Sequence, residues 1–198
     1  VYRGKNVSYV ESGKQMVINR YSLGKSSYSH DATIYIYRTS ELFLMLTEAM
    51  NALGDIAAAD SLLNVGLVSS WNGSKLLPPF NTPTFTANTN CLRNCLGVRG
   101  RAGVAPNYLR DFVAEDAPLE RKQAVLDSLI AEESALEQAF EGKRWFTLMR
   151  MARNNNRPAM LANEIVKKFP EGERETYRAF LMNPENWFIK YDQLHVIE

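Results

Sequence analysis

Between Glu41 and Leu53 apolar residues recur at helical spacing. Leu42, Met45, Leu46, Ala49 and Leu53 form one stripe, widened by Phe43 and Met50. Thr39-Ser40-Glu41 reads as the start of this helix, and Gly54 suits the position just past its end. Asp55 can then cap a second helix, whose stripe is Ile56, Ala59, Leu63 and Leu67. The pair predicts an antiparallel helical hairpin. Further along, Pro118 sits in the first turn of a helix expected over Asp116–Phe140. Its apolar arc holds Val125, Leu126, Leu129, Ile130, Leu136 and Phe140, with Glu133 inside the arc and Glu137 on its edge. A second amphipathic stretch carries Trp145, Phe146, Leu148 and Met149 and stops at Asn154-Asn155-Asn156-Arg157-Pro158. Short helices are expected over Ala159–Phe169 and Glu173–Leu181, and an extended, packed tail over Trp187–Ile197. Strand-like signals are brief, at Met16–Arg20 and Thr33–Arg38. The fold class is therefore mainly α, with long irregular loops.

The hairpin's A-x-x-x-L-G-D-x-x-A-A spacing, Ala49 to Ala58, is like one tetratricopeptide unit, and no array of such units is evident. Ser69–Asp111 breaks the helical pattern. It contains Pro78, Pro79, Pro83 and Pro106, is rich in Asn and Thr, and has no clear period. A connection this long is uncommon in a compact domain unless it is functional or disordered. Trp71, Phe80, Phe85 and Tyr108 argue against disorder. No Asp or Glu occurs from Ser61 to Arg110, while Lys75, Arg93, Arg99, Arg101 and Arg110 do. Two readings stand side by side: a structural elaboration that packs its own aromatics, and a binding segment. Sugars and peptides are held by flat aromatic faces with amide and guanidinium donors. Trp71, Asn72, Phe80, Asn81, Phe85, Asn90 and Arg93 supply both chemistries and are the candidate ligand contacts.

Bulk composition removes several functional classes. The chain has 198 residues, enough for a sizeable core, and its formal net charge of +1 gives no field to recruit nucleic acid or anionic membrane. No apolar run approaches the roughly 18 residues of a membrane span. Glycine loops for phosphate, G-x-S-x-G, H-E-x-x-H and acidic calcium loops are all missing from the sequence. His30 and His195 are the only histidines, so no histidine-rich metal centre is expected, and neither is a cofactor. Cys91 and Cys95 permit a local disulfide, two free thiols or part of a metal site.

The carboxylate series Glu132, Glu133, Glu137 and Glu141 invites comparison with a glycosidase acid–base pair. Glu133 and Glu137 are one helical turn apart, however, and interleave with residues that face the core. A buried Glu is costly unless paired. They are read as a structural ion-pair network with Arg144 and Arg150, and no catalytic residue is assigned.

Two stretches also resemble a known family. Leu129–Arg150, with Glu-Gly-x-Arg-Trp-Phe at Glu141–Phe146 and Leu-x-Arg at Leu148–Arg150, is similar to the RagB/SusD signature I-x-x-E-R-x-x-E-L-x-F-E-G-x-R-W-x-D-L-x-R. It departs at Ser134, at Thr147 and in the order Leu136-Glu137. Tyr37–Ala49 resembles the family's R-x-A-E-V-L-L-M-Y-A-E-A. Leu62-Leu63-Asn64 and Val98–Gly103 resemble the two halves of L-L-N-x-V-R-x-R-A-G, which makes Val65–Gly97 an insertion between them. The resemblance implies a SusD-like helical fold and the C-terminal portion of a longer single domain spanning residues 1–198. It implies a non-catalytic protein, lipid-anchored on the exterior face of the outer membrane through an anchor upstream of Val1. Such a protein binds glycans, or in some members peptides, for import through a SusC-like TonB-dependent transporter. A Cys91–Cys95 disulfide would suit that location.

Overall fold

The computed structural model describes the backbone of residues 9–12 and 15–18, and residues 37–68, 80, 96–139 and 141–188 more fully. The first unit, residues 1–139, begins with a short antiparallel ribbon, β1 (Tyr9–Ser12) and β2 (Gln15–Ile18), in which Tyr9 faces Ile18 and Ser12 faces Gln15. Residues Ile34–Ile36, of strand-like composition, lie outside the described residues, as do His30 and His195. The hairpin follows as α1 (Thr39–Ala52) and α2 (Ile56–Asn64). Gly54 makes the turn with a left-handed φ of 83°, open to glycine at no steric cost. The Asp55 carboxylate accepts the Ala58 N–H at 3.1 Å and caps α2.

α1 buries a different face from the one its apolar stripe predicts. Ser40, Phe43, Leu44, Thr47, Glu48 and Asn51 are buried, whereas Leu42, Met45 and Leu53 are 54%, 40% and 81% exposed. Two of these buried polar side chains are satisfied in different ways, and of the two only Asn51 ties the buried face to another helix. Thr47 donates its hydroxyl to the Phe43 carbonyl at 2.7 Å. Asn51 donates to the Gln123 carbonyl at 3.0 Å and to Asp127 Oδ1 at 2.7 Å, and Gln123 Nε2 donates back to the Asn51 carbonyl at 2.7 Å. That carbonyl belongs to the last turn of α1, where it also accepts the Gly54 N–H at 3.0 Å, so Gln123 adds a second donor and links the helix end to the later helix that carries it. α2 buries Ala58, Ala59, Leu62, Leu63 and Asn64, a band shifted from the expected Ile56–Leu67 stripe.

Within the segment expected to lack regular structure, α3 (Val98–Ala102) forms a short helix and Leu109–Asp111 a single 3₁₀ turn. The long helix is α4 (Leu119–Glu137); Pro118 stands as its N-cap, just before the first turn. Leu126, Leu129, Ile130 and Ala131 face the core, and Val125 and Leu136 are half-buried. Helices α1, α2 and α4 pack on one another, and α3 fits against α1 and α2.

The two ends of Val65–Gly97 meet at the C-terminus of α2. Gly66 and Leu96 form an antiparallel bridge, and Gly97 donates its N–H to the Val65 carbonyl at 2.8 Å. Backbone crowding makes glycine obligatory at Gly97, because a Cβ there would lie 2.3 Å from the Leu62 carbonyl oxygen and 2.9 Å from the Gly66 nitrogen.

In the second unit, residues 140–198, α5 (Arg144–Asn154) and α6 (Pro158–Ile165) meet across the turn that contains Asn156, whose φ is 50°. A 3₁₀ extension (Val166–Lys168), another 3₁₀ turn (Glu171–Glu173) and α7 (Arg174–Leu181) complete it. α5 buries Thr147, Leu148, Met151 and Ala152, and leaves Phe146 exposed against its expected place in the stripe. Trp187 is buried and donates Nε1–H to the Leu181 carbonyl at 2.7 Å. The tail beyond Phe188 lies outside the described residues.

Gly97→Ala is expected to lower stability by about 1–3 kcal/mol, the usual range for forced overpacking. A chemical denaturation midpoint equal to the parent's would contradict the close approach at the stem.

Candidate functional site

Glu133 lies at the centre of the buried face of α4, its side chain only 2% exposed. A carboxylate in that position needs a cation and further hydrogen bonds. Arg99, on α3, provides them: its Nη1 donates to Glu133 Oε2 at 2.6 Å. The same guanidinium donates through Nε to the Ala105 carbonyl at 3.0 Å and through Nη2 to the same oxygen. One side chain therefore joins α4, α3 and the segment after α3. A second arginine works alike. Arg38, immediately before α1, donates to Glu137 Oε1 at 2.7 Å and to the Glu137 carbonyl at 2.7 Å. It neutralises the acid and satisfies an orphan carbonyl in the last turn of α4.

Two residues of α2 hold the segment beyond Ala105. Asn64 accepts the Asn107 N–H at 2.7 Å and donates Nδ2–H to the Asn107 carbonyl at 3.1 Å, so its amide pairs with backbone as a neighbouring strand would. Asp60 Oδ1 accepts the Leu109 N–H at 2.9 Å and an Asn64 Nδ2–H at 3.1 Å. Burial pushes the Asp60 carboxyl above its ordinary value of 3.8, and Asp111 adds to the rise; the Leu109 hydrogen bond, the Arg110 charge and the Asn64 hydrogen bond work against it.

The expected ion-pair residues have the following partners within each unit. In the first, Glu133 and Glu137 are held by Arg99 and Arg38, cations that proximity along the chain did not nominate. The signal for both existed: Arg38 and Arg99 each fall inside a stretch that resembles the family. In the second, Arg144 reaches Glu164 at 3.2 Å, Lys143 stands 3.9 Å from the Glu141 carboxylate, and Arg150 is half-buried on α5.

Of the candidate ligand contacts, only Phe80 is described, at 1% exposure. Its ring is packed away, which corrects its reading as a free stacking face. The physical reason is that a large apolar ring within a long segment gains more by burial than by waiting in water. Trp71, Asn72, Asn81, Phe85, Asn90 and Arg93 lie outside the described residues, and so do Cys91 and Cys95. Among the described residues no group of three or more His, Cys, Asp or Glu side chains is arranged to hold a metal.

A frame of helices cross-linked by one buried and one half-buried arginine, carrying a long segment closed at its stem, defines a helical scaffold protein. A family model described as the SusD family matches residues 2–189, and the chain belongs to that family. No curated protein and no solved structure gives a significant match. The mainly helical, SusD-like fold agrees with the assignment. Members are in general non-catalytic, outer-membrane-associated lipoproteins that bind nutrients beside a SusC-type transporter. Among the described residues, no helix is long and apolar enough to cross a membrane.

Removing one partner of the central pair, by Arg99→Ala or Glu133→Ala, is expected to cost about 3–5 kcal/mol, because a buried charge is left behind. Arg99→Met with Glu133→Leu is expected to recover most of that loss. Urea melts in which the single changes are silent, or the double change is worse than their sum, would refute this account.

Asp60 makes a prediction about pH. Its native carboxyl binds a proton more readily than the unfolded one, so its stabilising contribution is complete below about 3.8 and is lost as pH rises through the elevated native value. Asp60→Asn keeps an oxygen for the Leu109 N–H and removes the charge. The variant should therefore gain on the parent as pH goes from about 4 to 7. Paired thermal melts that run parallel across that range would contradict the expected direction.

Proposed function

We propose that this chain is part of a surface-exposed, non-catalytic glycan-binding protein that serves import through a partner SusC-like TonB-dependent transporter. It acts at the exterior face of the outer membrane, held by a lipid anchor. In this reading residues 1–198 are the C-terminal portion of a single SusD-like domain. The helices are the rigid part, and Val65–Gly97 is an insertion that presents ligand contacts.

The observation that carries the reading is the stem. The chain leaves α2 and returns to α3 at one point, bridged at Gly66 and Leu96 and hydrogen-bonded from Gly97 to Val65, which supports reading the residues between as carried on the helices. Loops set on a rigid scaffold are where binding residues concentrate. Family membership supplies the general class of ligand and partner. The aromatic and amide side chains of the insertion, Trp71 and Phe85 with Asn72, Asn81, Asn90 and Arg93, supply the chemistry that suits a sugar.

Burial of Phe80 favours a second reading, in which the insertion is packed as a platform. The chain is then a helical scaffold or peptide-binding lid, and the insertion docks on the transporter.

Titration against glycan and peptide libraries separates the two. Under the first, Trp71→Ala or Phe85→Ala should weaken glycan binding at least about tenfold, or 1.4 kcal/mol, without lowering the melting temperature. Under the second, replacing residues 69–95 with a short linker abolishes capture of the transporter and spares ligand affinity. Glycan affinity that survives this replacement would remove the insertion from the binding site.

A further inference from the structure

The segment Ala105–Phe112 is held by three side chains, and all of them address its backbone. Arg99 takes the Ala105 carbonyl, Asn64 takes both backbone groups of Asn107, and Asp60 takes the Leu109 N–H. Leu109 is buried beneath. Because the anchors use backbone atoms, the side chains at the tip are left outside: Arg110 and Asp111 are 75% and 57% exposed, and Phe112 is 51% exposed.

These exposed groups are arranged. The Arg110 guanidinium lies over the Tyr108 ring, 4.4 Å from its centroid, which steadies a long side chain without using any of its N–H donors. Arg110 Nε and Asp111 Oδ1 are 3.9 Å apart, beyond hydrogen-bond length. Among the described residues neither side chain has a hydrogen-bond partner. A donor fork and a carboxylate acceptor thus stand side by side as a loose ion pair with hydrogen-bonding capacity to spare, and Phe112, half in water, follows them in the chain. Holding the tip also requires Asp60 to leave water, a cost visible in its raised pKa. Rigidity is what that anchor brings, and a preordered contact loses less entropy when it binds.

We propose that Tyr108–Phe112 is a contact site for a neutral pyranose-based glycan, separate from the insertion. A sugar hydroxyl can accept from Arg110 while donating to Asp111, and the C–H face of the ring can lie on Phe112. An anionic ligand fits less well, because Asp111 stands beside the arginine and Glu115 and Asp116 follow on exposed positions. The site rests on the glycan-binding reading above but uses none of the insertion's candidate residues.

The test is retardation of the whole chain in native gels containing starch, xylan, galactomannan or pectic galactan. Parent, Phe112→Ala, Arg110→Ala, Asp111→Asn and Trp71→Ala are run together, with thermal melts as the folding control. The parent should be retarded by at least one polysaccharide. Phe112→Ala and Arg110→Ala should bind it at least about tenfold more weakly, and Asp111→Asn, which is isosteric and keeps the tip's shape, about threefold or more. Melting temperatures should match the parent's. If all three tip variants bind as the parent does while Trp71→Ala loses binding, the tip site is wrong and the glycan reading stands. If the parent is retarded by none of the four, or binds only peptides, the tip site falls together with that reading.

Discussion

A carboxylate in the middle of the buried face of α4 has to be neutralised, and most of the first unit's architecture follows from how this is done. Glu133 sits among Leu126, Leu129 and Ile130 with almost no access to water. Its cation comes from Arg99, on a five-residue helix too short to persist by itself. The pair therefore does two jobs. It relieves the buried acid, and it pins α3 against the helical frame. The remaining donors of the same guanidinium fix Ala105, so the ion pair also sets where the next segment begins.

The same device recurs nearby. Arg38 ties the chain just before α1 to the end of α4, using a carboxylate and a carbonyl one helix terminus would otherwise leave unsatisfied. Asn51 and Gln123 exchange hydrogen bonds between α1 and α4, while Asn64 and Asp60 do so between α2 and the segment at 107–109. The frame is held by apolar packing and is registered by side chain-to-backbone bonds. Such bonds name a particular partner atom, whereas apolar packing is tolerant of rotation and sliding. This is why elements with weak intrinsic structure, such as Ala105–Phe112, still take one shape.

The stem of Val65–Gly97 follows another constraint, that of space. Gly97 allows two backbone stretches to approach more closely than any side chain permits. Members of the family in general bind nutrients, and in this chain the helical frame is registered by ion pairs such as Arg99–Glu133.

Much of this was legible in the sequence. The hairpin, the left-handed turn at Gly54, the cap at Asp55, the long helix after Pro118 and the break at Asn154–Pro158 all have local causes, in periodicity and in the backbone preferences of Gly, Pro, Asp and Asn. The embedded Glu133 was legible as a residue needing a cation, and the family was legible in Glu141–Arg150 and Tyr37–Ala49. Which face of α1 is buried was not. Its apolar stripe lies largely in water, while Asn51 on the buried face bonds to α4, and no count of hydrophobic residues weighs such bonds. The identity of the cation at Glu133 was hidden for a similar reason: Arg99 lies far away along the chain and reaches Glu133 only once α3 is folded against α1 and α2. Local conformation is decided by neighbours in sequence; helix rotation, ion-pair partners and the anchoring of Ala105–Phe112 are decided by neighbours in space, which exist only when the tertiary fold has formed.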